Sequence, residues 1–155
     1  MCAQHGGHFA AIAALPLPHV DAALAELTRA LDDLGMVGVS LGCSIVGRPL
    51  DEAAFEPMFA ELDRRGAVLF LHPVGRGCGS LLEGFDLNFP LGAPFEDTVA
   101  ALRLILAGIV DRYPRLRIIA AAPRRHSAVF DRTPRRLAGR AHPVQAQRVL
   151  ETVVV

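Results

Sequence analysis

Six histidines and three cysteines are the side chains of this 155-residue sequence best suited to hold a metal or pass a proton. His72 stands out by position. It follows the apolar run AVLFL (67–71) directly, and Pro73 then turns the chain outward. An imidazole at the carboxyl end of a buried strand is a natural ligand for zinc or a similar metal. It can equally be a histidine that only hydrogen-bonds within its loop, and position alone leaves both readings open. His5 and His8 (HGGH) offer two donors on a glycine-rich terminal stretch that is expected to be mobile. His19 sits at a helix start and is expected at the surface, while His126 and His142 lie in an arginine-rich tail. Cys2, Cys43 and Cys78 are odd in number and widely spaced, so they make neither a disulfide framework nor a CxxC zinc site. A reducing cytoplasm is the compartment they predict. Arg76 and Phe89 lie in the long loop after His72, where substrate-binding groups would project. The carboxylates fall mostly on polar helix faces and are read as solvated.

The pattern that must position these groups is a repeat of strands and helices. FAAIAAL (9–15) reads as a buried strand closed by Pro16 and Pro18. Apolar residues at 20, 23, 24, 27, 31 and 34 then follow helical spacing, with Arg29, Asp32 and Asp33 opposite and Gly35 as the stop. MVGVSL (36–41) is a second strand. Asp51 can cap a second helix whose Ala54, Phe55, Met58, Phe59 and Leu62 face inward, and Gly66 ends it before the third strand, 67–71. A Gly-rich loop runs from His72 to Ala93. Pro94, Glu96 and Asp97 suit the start of a third helix reaching about Arg112, and a fourth strand covers 116–121. The strands are continuous apolar runs, as in parallel sheets covered on both faces. An open doubly wound sheet and half of a (β/α)8 barrel both fit.

Several functions lose support here. No GxGxxG follows the first strand and no GxxxxGK[ST] occurs. Gly75, Gly77 and Gly79 (GRGCG) mimic a phosphate loop, but no helix opens directly behind them, so a plain flexible loop is expected. No apolar run approaches the length of a membrane span, and no basic region precedes an apolar one at the N-terminus. The net charge of zero hides an asymmetry. Residues 1–121 carry 9 Arg and 14 Asp or Glu, whereas residues 122–155 carry 7 Arg and 2 acids, and there is no lysine. A basic tail is one route to nucleic acid or an acidic partner; a GC-rich gene is the simpler source of a lysine-free composition.

From about Phe9 to Ala121 the sequence resembles the amidohydrolase-related superfamily, in its branch of metal-dependent decarboxylases acting on aminocarboxymuconate semialdehyde, γ-resorcylate and 6-methylsalicylate. The segments that carry the resemblance are FAAIAALPLPHVDAALAELTRALDDLGMVGVSL, AFEPMFAELDRRGAVLFLHP and GAPFEDTVAALRLILAGIVDRYPRLRIIA, in that order and spacing. The resemblance implies a partial (β/α)8 TIM barrel of about four parallel strands and three helices over residues 1–121, followed by an irregular Arg-rich tail over 122–155. It implies that His72 is the metal-ligand histidine of the fifth barrel strand and that Phe89 lies near the substrate. The family cofactor would be zinc or manganese, and the substrate a small aromatic or enol-like carboxylic acid that loses CO2.

Three family parts are missing: an HxH pair on the first strand, a histidine after the sixth, and a late Asp ligand. A single ligand does not hold a catalytic metal that needs about three from the protein. Where the family reads His-Leu-Gly-Gly-Thr-Leu-Pro-Phe-Leu, this sequence reads APRRHSAVF. Codons for Ala122 onward, read one base later, permit HLGGTLPFLIERLD. The expectation is therefore a reading-frame slip near residues 120–122, an out-of-frame tail and a chain inactive by itself. Unpaired sheet edges would then invite self-association. The alternative is a non-enzymatic α/β module whose genuine tail binds nucleic acid or an acidic partner.

Overall fold

The structure is a computed structural model that describes residues 2, 5, 8–75, 82–83 and 85–120. The chain order is β1 (Ile12–Ala14), α1 (Val20–Thr28), β2 (Gly38–Gly42), β3 (Ser44–Ile45), β4 (Arg48–Pro49), α2 (Glu56–Arg65), β5 (Val68–His72), α3 (Ala93–Leu106), α4 (Ile109–Arg112) and β6 (Arg117–Ala120). One sheet runs β1-β2-β5-β6, parallel at every pair, and β3 and β4 form a separate antiparallel hairpin. Each step along the sheet is bridged by helix, the pattern of a (β/α) barrel that is open after its fourth strand.

Side-chain alternation divides the sheet into two faces. Val39 and Leu41 of β2, Leu69 and Leu71 of β5, and Ile118 and Ala120 of β6 are buried in one core with Leu27, Phe55, Met58, Phe59, Leu62 and Leu104. Removing each large apolar side chain from water stabilises the fold by roughly 1.5–3 kcal/mol. The other face carries Ser40, Val68, Phe70 and Ile119, all half-buried, and ends at the exposed His72. In a closed barrel this second face looks inward.

Several sequence expectations are corrected. Leu34 is 49 % exposed because α1 widens into a π-type turn at Arg29–Asp33 that brings Ala30 inward instead. Ala54 is exposed, since the second helix opens with a 3-10 turn at Ala53–Phe55 that only Phe55 buries. Asp51 caps nothing there; both its oxygens accept hydrogen bonds from Arg103, at 2.6 and 2.9 Å. The third helix does not run unbroken to Arg112, because Gly108 takes a left-handed conformation (φ +72°) between α3 and α4. Gly66 ends α2 in the same conformation (φ +60°), as expected of a C-terminal cap. The boundary at 121 and the tail 122–155 lie outside the described residues.

Candidate functional site

His72 is the last residue of β5 and pairs in register with Gly42, the last of β2. Its Nδ1 lies 2.8 Å from the carbonyl oxygen of Pro73. A carbonyl only accepts, so Nδ1 donates in this contact and Nε2 takes no part in it. The backbone N–H of Cys43 donates to the His72 carbonyl at 3.0 Å, which ties the two strand ends together. A Cβ on Gly42 would lie 2.6 Å from Cγ1 of Val74 and 2.9 Å from the carbonyl oxygen of Ser44, so a larger residue there would have to displace both.

The first turn of α3 closes this arrangement from above. Glu96 Oε2 accepts the N–H groups of Val74 at 2.6 Å and Gly75 at 3.1 Å. Asp97 Oδ1 accepts the Cys43 thiol at 3.0 Å. Both carboxylates are buried, Asp97 to 2 % exposure. Burial foremost, and then the Asp97 carboxylate, push the Cys43 thiol well above its ordinary range, so it stays protonated and donates. Burial also raises Asp97, against the stabilising effects of the thiol hydrogen bond and of nearby His72. The expectation of solvated carboxylates therefore fails at these two positions.

Glu96, Asp97 and Cys43 are the members of the site that the sequence did not disclose. Two adjacent acids behind Pro94 look like ordinary helix-start residues, and nothing local says that their partners are a strand-end thiol and a loop backbone. Phe89 is 86 % exposed on a π-type turn, Asn88–Gly92, that leads into α3. No hydrogen bond or ring contact joins it to His72 among the described residues. Arg76, Gly77, Cys78 and Gly79 lie outside the described residues, as do His126 and His142. His19 is exposed at the start of α1, as expected.

Among the described residues no three His, Cys, Asp or Glu side chains come close enough to hold a metal ion. The donor set agrees with this. The thiol keeps its proton, and Glu96 gives one oxygen to two backbone N–H groups. The described residues do not by themselves supply the ligand set of a catalytic metal.

The amidohydrolase family matches residues 1–146. The chain belongs to that family. A γ-resorcylate decarboxylase from a Rhizobium species is 38 % identical over 128 residues, covering 76 % of this chain and 39 % of that protein. A 2-amino-3-carboxymuconate-6-semialdehyde decarboxylase from Dictyostelium discoideum is 28 % identical over 113 residues, with 73 % and 32 % covered. Among solved structures, a 2,6-dihydroxybenzoate decarboxylase complexed with 2,6-dihydroxybenzoate superposes with a TM-score of 0.68 at 32 % identity, over 76 % of this chain and 40 % of its own. A 5-carboxyvanillate decarboxylase with bound manganese gives 0.74 at 26 % identity, over 86 % and 39 %. The amidohydrolase chain thus spans about a third to two fifths of these relatives, and its open sheet is part of their barrel. No described helix is long and apolar enough to cross a membrane.

Proposed function

We propose that these residues are the middle part of a metal-dependent carboxy-lyase that removes CO2 from a small aromatic or enol-like carboxylic acid, and that the 155 residues by themselves do not turn over. His72 carries this reading. It stands at the carboxyl end of a barrel strand, on the face that looks inward in a closed barrel, with Nδ1 spent on Pro73 and Nε2 left to bind. His72 is then the one metal ligand of this stretch, and Arg76 and Phe89 contribute to substrate binding. Asp97, Glu96 and Cys43 hold the two strand ends on which the imidazole stands. Zinc or manganese would orient the carboxylate and stabilise developing charge. The free cysteines Cys2 and Cys43 suit a reducing cytoplasm.

Residues 122–155 enter this reading as out-of-frame sequence. Restoring the frame after residue 121 and expressing it together with the upstream sequence that would supply the HxH strand should yield manganese-dependent release of CO2 from 2,6-dihydroxybenzoate, abolished by His72→Ala. The 155-residue chain should yield none. Turnover by that chain, sensitive to His72→Ala, would overturn its inactivity. A third-base composition that keeps one phase through Val155 would overturn the slip.

A further inference from the structure

We infer that Glu96 is a positioning residue for His72, acting through the Pro73–Val74 peptide as a carboxylate–amide–imidazole relay. The His72 ring is exposed, and a surface imidazole bonded to a neighbouring carbonyl ordinarily exchanges that bond for one to water. Its acceptor here is itself anchored. The carbonyl oxygen of Pro73, 2.8 Å from His72 Nδ1, and the N–H of Val74, with its nitrogen 2.6 Å from Glu96 Oε2, belong to one peptide unit. That peptide is trans and planar, so its N–H and C=O point in opposite directions, one toward each partner. Neither group can turn without the other. A second N–H fixes the carboxylate. Gly75 takes a left-handed conformation (φ +75°) and donates to the same oxygen at 3.1 Å. Consecutive N–H groups that converge in this way make a seat for an anion. A Cβ at Gly75 would meet nothing within 4 Å, so backbone conformation rather than space favours glycine there. Glu96 is 7 % exposed, and water competes little for these bonds.

The anion at one end of the peptide acts on the ring at the other. A hydrogen bond to an ionised acceptor is stronger than a neutral one, and bonds in series polarise one another. Glu96 thus makes the Pro73 carbonyl a better acceptor and biases the neutral His72 ring toward its Nδ1–H form. Asp97, the neighbouring buried acid, has a different task. It engages the Cys43 thiol, and the Cys43 N–H holds the backbone carbonyl of His72 rather than its ring. Which nitrogen of a ligating histidine is left to bind is set by the bond the other makes. The value of the relay to a metal therefore rests on the reading of His72 proposed above, whereas the relay itself belongs to the metal-free chain.

Nitrogen NMR of the metal-free 155-residue chain tests this, with the ring shifts of His72 read in alkaline buffer, where histidine is neutral. His72→Ala assigns the signals. In the wild type the Nδ1–H form should be the major one. Glu96→Gln keeps the shape and removes the charge; it should lower the ratio of Nδ1–H to Nε2–H at least about twofold, with circular dichroism unchanged. Asp97→Asn should leave that ratio where it is. Should E96Q lose its fold, scalar couplings across the two hydrogen bonds of the wild type decide, from the Val74 nitrogen to the Glu96 carboxyl carbon and from His72 Nδ1 to the Pro73 carbonyl carbon. A wild-type ring mostly in the Nε2–H form would overturn the relay. An unchanged ratio in folded E96Q, an equal fall in D97N, or the absence of either coupling would overturn it too. None of these readings involves a metal, so a completed barrel that fails to turn over would count against the proposed chemistry alone.

Discussion

Val46 holds a backbone conformation that a β-branched side chain rarely tolerates. It is the first residue of the two-residue loop between Ile45 and Arg48, with φ +51°, and Gly47 follows at φ +77°. A loop with both central residues in the left-handed region favours Asn-Gly, because the asparagine side chain adopts that region at little cost. Val46 is also 82 % exposed, so little packing offsets the strain. Val46→Asn should therefore raise stability by about 1 kcal/mol, read as a higher urea midpoint at unchanged slope. A second residue-scale effect concerns acid. The Arg64 guanidinium foremost, opposed by partial burial and reinforced by Arg65, holds Glu61 at about 2 against an ordinary 4.5. The unfolded chain binds the proton more readily in that interval, so this pair stabilises the fold above about pH 4.5 and its contribution disappears as pH falls toward 2. Screening by solvent limits the effect to about 1 kcal/mol. Glu61→Gln should remove that part of the acid-unfolding curve and leave the rest.

At the scale of elements, the close approach of β2 and β5 depends on Gly38. A Cβ there would run into the carbonyl of Val68, its partner in register, and no side-chain rotation relieves a clash with backbone. Gly38→Ala should cost about 3 kcal/mol, measured by chemical unfolding, whereas a cost below about 0.5 kcal/mol would show that the strands shift freely. The parallel repeat was legible in the sequence because strands such as Val68–His72 are short continuous apolar runs whereas helices such as α2 repeat every 3.6 residues, and the glycine stops fall between them. The β3–β4 hairpin was not. Val-Gly lacks the turn signal of Asn-Gly, and each strand has only two residues. The site was half legible for a related reason. His72 follows an unmistakable strand, but Asp97 meets Cys43 across 54 residues, and no local pattern announces a contact of that separation.

For the molecule as a whole, four parallel strands leave an inner face that the described residues only half cover. Phe70 and Ile119 lie in register on that face, and His72 stands at its carboxyl end. In the amidohydrolase relatives the chain continues beyond this stretch, which is 39 % of the Rhizobium decarboxylase. His72 alone should not retain a catalytic metal. Equilibrium dialysis of the purified 155-residue chain against manganese or zinc, with metal counted by mass spectrometry, should give bound metal well below one equivalent and the same value for His72→Ala. One equivalent in the wild type that is lost in His72→Ala would show instead that this stretch holds the metal through His72.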